Sequence, residues 1–351
     1  MKKNNLLWIG KGHKANTWYH ISPFSYCRNV NNYHVLRYEK TSKNIDNAIW
    51  HIYNHHNYFI GIIKLFFLGI KVSIKQKIDV IVSFSLFPWA IISWFIAKST
   101  RKKIIIGFVG TDFNYHLKKT IFKKLYFLIL KNSDAVSVTG SNMKKWIVKN
   151  ISIDEKKIVV LPHLIDKSYS NTGSFDYDLI HVSKLTKNKN VECIIKAVAL
   201  VKKSKKNIKL CILGDGEQRQ YLSNLIDQNN LRNNIILKGY KENVFDYYKK
   251  SKIFIQASYH EGFSLALLEA ISCGLIPIIT NAGSEKDYIT NNINGLYFNF
   301  NNHIELSEKI LFALDNDHYN RLTDNVLDLQ KSLIVHNNYH SYENIIEAAI
   351  R

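Results

Sequence analysis

The stretch from Ala257 to Asp287 reads ASYHEGFSLALLEAISCGLIPIITNAGSEKD, and its pattern decides the fold. Seven residues separate Glu261 from Glu269, and Gly262-Phe263-Ser264 opens the segment between them. The spacing predicts a loop bearing Glu261, a helix over Leu265–Ser272 bearing Glu269, and a strand over Ile276–Ile279. Backbone N–H groups at a helix start lack intrahelical acceptors, and the helix dipole favours an anion there. A diphosphate is a natural guest, and Gly262 lets the backbone come close to it. Two solvated acids at helix ends are the plainer alternative.

The same rhythm extends in both directions. Upstream, strand Leu179–Val182 precedes a helix with apolar Val191, Ile194, Ile195, Val198 and Val201. Strand Ile208–Leu213 meets Gly214-Asp215-Gly216 and a helix through Leu222, Leu225 and Ile226, followed by strands Ile235–Leu237 and Ile253–Gln256. The N-terminal half alternates likewise: Leu6–Gly10, Val80–Ser83, Lys103–Phe108 and Ala135–Val138 read as strands, and Trp89–Lys98, Leu117–Lys131 and Asn142–Lys149 as helices. Strands alternating with helices imply a parallel sheet covered on both faces. The polar run Ile165 to Phe175 is read as the linker. The fold class is therefore α/β, with two doubly wound, Rossmann-like domains expected to face a cleft, and ligands expected beyond the carboxyl ends of the strands. Asp315-Asn316-Asp317 reads as a turn following a helix.

The stretch around Glu261 resembles the EX7E region of the GT-B glycosyltransferases, especially the group that carbohydrate classifications call family 4. The resemblance takes in Glu261-Gly262-Phe263, Leu268-Glu269-Ala270, Gly274, Pro277 and Gly283. It implies that Glu261 lies by the donor sugar, that Glu269 holds the nucleotide ribose, and that Gly262, Phe263, Ser264 and Leu265 border the donor. Upstream, Ser183-Lys184-Leu185 and Lys187-Asn188-Lys189-Asn190 resemble a Gly-Arg-Leu followed by Lys-Gly, whose two cations embrace the donor diphosphate. Lys184 and Lys189 inherit that role with Glu261 as the catalytic set. Lys184 replaces an arginine and lacks its bidentate fork; Asn190 replaces the glycine. Gly214-Asp215-Gly216 resembles the family's GxG turn, although a tight strand-to-helix turn explains it alone. Lys238-Gly239-Tyr240 falls where the family places the base, so Gly239 and Tyr240 are donor-site candidates, with Tyr240 either stacking on the base or packing in the fold.

The resemblance spans most of the chain and is strongest over residues 179–298. Gly110-Thr111-Asp112 resembles the family's HGxD turn with Val109 in place of the histidine, leaving Asp112 as a candidate contact to a sugar. Gly12, in Gly10-Lys11-Gly12-His13, is a second candidate for the cleft. His163-Leu164-Ile165-Asp166 stands where an Asn-Gly-Val-Asp pattern occurs. By this resemblance residues 1–166 form an acceptor-binding domain and residues 175–330 a nucleotide-sugar-binding domain. Residues 331–351 form a helical segment packing back on the first. Asp176-Tyr177-Asp178 imitates the DxD metal motif of another glycosyltransferase fold but sits before a strand near the linker. No His/Cys/Asp cluster has metal-ligand spacing, and metal-independent chemistry without a cofactor is expected.

Composition sets outer limits. The chain has 351 residues, 46% hydrophobic and 22% charged, which suits two globular domains. Lys and Arg total 48 against 28 acids, a net charge of +20, so anionic partners are expected. Phosphorylated ligands and an anionic membrane surface fit; no nucleic-acid motif is present, and a nucleic-acid partner is not expected. Cys27, Cys193, Cys211 and Cys273 follow no metal or redox spacing and read as reduced core thiols of a cytoplasmic protein. Met1-Lys2-Lys3-Asn4-Asn5 leads into no adequate apolar h-region before Lys11, so no secretory signal is evident. Val80–Ala97 is uncharged and nearly long enough to cross a bilayer, but Pro88 divides it and a strand, loop and helix are expected. Leu117–Lys131 and Ile60–Lys77 mix apolar residues with spaced lysines. Such faces suit the cytoplasmic surface of an anionic bilayer, and a core stripe with a solvated lysine face explains them as well.

The reaction that the resemblance implies is retaining transfer of a hexosyl unit from a UDP- or GDP-sugar to a hydroxyl of a saccharide or lipid-linked saccharide, in bacterial cell-surface polysaccharide or lipopolysaccharide synthesis. A nucleotide-sugar epimerase on the same scaffold, or a non-catalytic basic binding protein, are the alternatives.

Overall fold

A computed structural model describes residues 3–10, 14–41, 44–53, 57–84, 86–108, 120–170, 173–261, 264–335 and 338–351. The chain divides into two compact units, Met1–Leu164 with Val335–Arg351, and Ile165–Ile334. The polar run expected as a linker thus falls within the second unit.

The first unit begins with β1 (Asn4–Ile9), α1 (Lys14–Ile21), β2 (Val30–Arg37) and β3 (Ala48–Ile52). Then come α2 (Tyr58–Lys75), β4 (Val80–Phe84), α3 (Ile91–Thr100) and β5 (Lys103–Phe108). It continues through α4 (Thr120–Lys131), β6 (Ala135–Val138), α5 (Ser141–Ile151) and β7 (Ile158–Val160). The seven strands are parallel in the order β3-β2-β1-β4-β5-β6-β7. Successive residues Ile104, Ile105 and Ile106 are all fully buried. Neighbours on a strand point to opposite faces, so helices must cover both sides of this sheet. The uncharged stretch that imitates a membrane span resolves into β4, a π-helical turn over Leu86–Ala90, and α3. Among the described residues no helix is long and apolar enough to cross a membrane.

The second unit contains β8 (Tyr177–Val182), α6 (Val191–Ser204), β9 (Leu210–Leu213), α7 (Arg219–Gln228), β10 (Ile235–Gly239) and α8 (Phe245–Tyr248). It continues with β11 (Ser251–Gln256), α9 (Leu265–Ser272), β12 (Ile276–Ile279), β13 (Leu296–Tyr297), α10 (His303–Leu314) and α11 (Asn316–Leu333). Its six parallel strands run β10-β9-β8-β11-β12-β13, the order of a doubly wound sheet. Ile194, Val198 and Val201 of α6 pack with Ile212, Ile253 and Ile310 in one core. All four cysteines are buried and none is disulfide-bonded.

The expected turn at Asp315-Asn316-Asp317 is instead a helix start. Asp315 is the N-cap of α11, its carboxylate accepting from the His318 N–H at 3.5 Å. Aspartate suits both places, because its short side chain can mimic a turn or satisfy a first-turn donor. The DxD look-alike serves the sheet: Asp176 pairs with Lys250 at 3.0 Å, and Asp178 accepts from the Lys209 N–H at 3.0 Å.

After α11 the chain returns to the first unit as α12 (His340–Ile350). Tyr342 donates its hydroxyl to the Pro162 carbonyl at 2.8 Å, and the Arg28 N–H donates to Glu343 Oε1 at 2.8 Å. The Phe24 and Tyr342 rings meet edge-on with centroids 5.0 Å apart. Glu343 is 6% exposed, so removing its carboxylate strands a buried donor. Glu343→Ala is expected to lower the unfolding free energy by about 2 kcal/mol, measured by urea denaturation at neutral pH.

Candidate functional site

In the second sheet the strand order reverses between neighbouring β8 and β11, and a cleft forms outside the carboxyl ends at such a point. Ser183-Lys184 follows β8, Gly214 follows β9, Gly239 ends β10, and Ser258–Glu261 lies beyond β11. Ala282-Gly283 lies beyond β12. Parallel pairing therefore brings these residues, distant in sequence, to one edge.

Lys189 and Glu261 form an ion pair there through Nζ and Oε1. The Ser258 hydroxyl donates to the same oxygen at 2.6 Å, leaving Oε2 outside both bonds. Glu261 is 10% exposed at the side chain and Lys189 24%, so the pair is sheltered but reachable. Asn188 places them. Its Nδ2 donates to the His260 carbonyl at 2.9 Å, its Oδ1 accepts from the His260 N–H at 3.2 Å, and its own carbonyl accepts from the Tyr259 N–H at 2.8 Å. On the other side the Glu261 N–H donates to the Ala282 carbonyl at 3.0 Å. A Cβ at Gly283 would lie 2.4 Å from the Glu261 carbonyl oxygen, so only glycine admits this approach.

Lys184 is held by a second arrangement. Buried His181 lies 2.8 Å through Nδ1 from the Ile255 carbonyl and 2.7 Å through Nε2 from the Ser183 hydroxyl. The carbonyl can only accept, so Nδ1 carries the proton and Nε2 accepts from Ser183. Burial pushes the His181 pKa down to about 4, against the raising effect of the Ile255 bond, and the Lys189 charge lowers it further. The ring therefore stays neutral near pH 7 and fixes the loop after β8. Gly214 (φ +128°) presses on the same loop; a Cβ there would stand 1.8 Å from the Ser183 carbonyl oxygen. Lys184, Gly214 and Tyr240 line a cavity of about 480 Å³ with Val182, Leu213 and Val244. Tyr240 is 73% exposed, so its ring is a platform rather than core packing.

The structure thus joins Lys189 to Glu261, and Lys184 to Gly214 and Tyr240, with both lysines on the single segment 183–190. Ser264 is the N-cap of α9, its Oγ accepting from the Leu267 N–H at 3.2 Å. Leu265 begins that helix and Glu269 lies half-buried within it. Gly12, Asp112, Gly262 and Phe263 lie outside the described residues. His163 packs edge-on against His20 in the first unit, centroids 4.9 Å apart.

Four residues at this edge escaped the sequence reading: Asn188, His181, Ser258 and Glu285. All four lie within or beside the quoted motifs, His181 just before Ser183-Lys184-Leu185 and Asn188 inside Lys187-Asn188-Lys189-Asn190, but the motifs assign none of them a role. Glu285 is fully buried, accepts from Gln256 Nε2 at 3.1 Å, and has its Oε2 beside Gly283. Burial pushes its carboxyl up to about 7, and the nearby Glu261 charge adds to that.

Residues 167–327 match the sequence family described as "Glycosyl transferases group 1". The poly(glycerol-phosphate) alpha-glucosyltransferase of Bacillus subtilis is 31% identical over 209 residues, 57% of this chain and 29% of the relative. An N-acetylgalactosamine-N,N'-diacetylbacillosaminyl-diphospho-undecaprenol 4-alpha-N-acetylgalactosaminyltransferase of Campylobacter jejuni is 29% identical over 50% of this chain and 48% of the relative. The chain spans half the length of these two relatives or less. Among solved structures, HepE of Anabaena in complex with UDP superposes with a TM-score of 0.79 at 13% identity, covering 99% of this chain and all of the other. Two doubly wound units with a cationic, glutamate-bearing sheet edge define a GT-B scaffold. Residues 167–327 thus carry the sequence pattern of the group 1 glycosyl transferases, and the relatives that match this part of the chain are named as glycosyltransferases.

Two substitutions probe this edge. Gly214→Ala forces the loop away from Ser183 and is expected to abolish nucleotide-induced thermal stabilisation while leaving the far-UV circular dichroism unchanged. For Glu285 the folded pKa of about 7 lies above the ordinary 4.5. Its stabilising effect is therefore complete below the unfolded value and lost as pH rises through the folded one. Glu285→Gln should gain stability relative to the parent between about pH 5 and 8, by up to about 3 kcal/mol in urea titrations.

Proposed function

We propose that the chain is a metal-independent, retaining hexosyltransferase, moving a sugar from a UDP- or GDP-sugar to a saccharide hydroxyl. The observation that carries this reading is the Lys189–Glu261 pair at the reversal point of the second sheet, on the same sheet edge as a cavity bordered by Lys184 and Tyr240. In this reading the base lies against Tyr240 and the Gly239 backbone, and Glu269 holds the ribose hydroxyls. Lys184 and Lys189 face the diphosphate, with the first turn of α9 beside it. Glu261 Oε2 orients a donor-sugar hydroxyl.

The bond between the anomeric carbon and the diphosphate oxygen breaks, and its electron pair leaves with the nucleoside diphosphate. Lys184 and Lys189 stabilise the charge that develops there. The acceptor oxygen forms its bond to the anomeric carbon on the face the phosphate has left, so configuration is retained. The acceptor proton passes to a departing phosphate oxygen. The protein's part is positioning and electrostatics, and Glu261 forms no covalent bond to the sugar. Both relatives described above are named for alpha-linkages, which accords with retention from an alpha-linked donor.

The named acceptors of those relatives carry phosphate, one as poly(glycerol-phosphate) and one as a diphospho-undecaprenol saccharide. A chain of net charge +20 suits such an anionic acceptor. The function proposed is therefore synthesis of a bacterial cell-surface polysaccharide or lipopolysaccharide on a lipid-linked or otherwise anionic saccharide, at the cytoplasmic face of the membrane.

Glu261→Ala and Lys189→Ala are each expected to lower kcat/KM for sugar transfer by roughly 10²- to 10³-fold. Lys184→Ala should weaken nucleoside-diphosphate binding in a thermal-shift titration. Unchanged transfer by both Glu261→Ala and Lys189→Ala, assayed with UDP- and GDP-hexoses, would overturn the assignment.

A further inference from the structure

The helix α2 belongs to the first unit and takes no part in the donor site. Its inward face is well packed: Gly61, Leu65, Gly69 and Val72 are buried. Gly69 lies so close to α3 that a Cβ there would stand 2.5 Å from Ile96 Cδ1. The opposite face is unusual. Phe59 is 74% exposed, Phe67 65%, Ile74 64%, Ile63 57% and Ile60 51%.

At about 100° per residue these five side chains fall within an arc of about 100°, forming one continuous apolar stripe. Lys64, Lys71 and Lys75 are exposed and fall together along one border of that arc, within about 40° of each other. Between Asp46 and Asp79 the sequence contains no Asp or Glu. The helix thus has three bands in order around its axis: a core stripe, a solvent-facing apolar stripe and a basic edge.

We propose that this face of α2 docks on an anionic lipid bilayer, lying in the plane of the interface. The apolar stripe would sit at the boundary between headgroups and acyl chains, where Phe and Ile leave water without needing hydrogen-bond partners. The lysine stems can run along that boundary with their ammonium groups among the phosphates. The uniform positive charge beside the stripe selects an anionic surface over a neutral one. A protein partner is disfavoured because the stripe offers no directional polar group to fix its orientation. The inference rests on the helix alone and is read without any sugar donor, so it stands or falls separately from the transfer reaction.

The test is flotation of the full chain with vesicles of phosphatidylcholine alone and of phosphatidylcholine mixed with phosphatidylglycerol. Binding is expected only to the mixed vesicles and should weaken at high salt. The double substitution Phe59→Ser with Phe67→Ser removes exposed side chains only, so folding should survive, which circular dichroism checks. It should reduce partitioning at least roughly tenfold. Changing Lys64, Lys71 and Lys75 to Gln should reduce it roughly fivefold per charge removed. Equal binding to both vesicle types, or full binding by the Phe59→Ser, Phe67→Ser variant, would overturn the proposal. So would a parent that floats with neither vesicle but sediments as a dimer which the same variant converts to monomer, since the stripe would then join two copies of the chain.

Discussion

Asn188 is the constraint on which the candidate site depends. The sheet delivers the ends of β8 and β11 to the same place, but a strand end fixes a loop only at one point. Three hydrogen bonds from one asparagine to Tyr259 and His260 lock the turn bearing Lys189 against the loop bearing Glu261. The ion pair is then a consequence of backbone geometry, not its cause. This matters energetically, because a half-buried pair offsets desolvation only when its partners are already in position. Ser258 contributes a second bond to the same carboxylate oxygen and so fixes its rotamer.

Much of the second unit is legible in its residue pattern because its local signals agree. Ser264 before an apolar helix, a glycine after its end and a run of β-branched residues give α9 and β12 where the spacing predicts them. Strands β2 and β3 are harder to read, since Asn31, Asn32, His34 and His51 interrupt their apolar pattern. Site positions carried by charge or by a glycine stand out. Those carried by neutral polar groups do not, because Asn188, Ser258 and His181 act through partners some 70 residues away or through buried bonds that leave no periodicity. Glu285 is hidden for a different reason: a glutamate in Gly283-Ser284-Glu285-Lys286 reads as a solvated turn, and only the tertiary fold buries it.

Charge along α2 is handled differently from charge in the second unit. In the second, Lys189 meets a carboxylate and Asp178 meets backbone and lysine, so cations there have defined partners. In α2 no acid lies near in sequence, and the lysines border exposed phenylalanine. A net charge of +20 is therefore spread over at least two different settings, a sheet edge where lysine meets carboxylate and a helix face where lysine borders exposed apolar side chains.

The departures from the family pattern follow from the same geometry. Asn190 sits at φ +48° and ψ +44°, the left-handed region where glycine is the unstrained choice. Asparagine is the side chain that tolerates that region best after glycine, so the replacement preserves the turn that aims Lys189 into the site. Lys184 is a different case. Its loop is fixed by His181 through Ser183 and by the close approach of Gly214, so an ammonium there begins from a well-defined base. What an arginine would add is a planar fork, and what a lysine keeps is the charge. A site that works by offsetting charge on a leaving diphosphate needs the second more than the first. In the proposed reaction, then, the replacement matters little where backbone geometry already positions the cation, because the charge is the part that reaction would use.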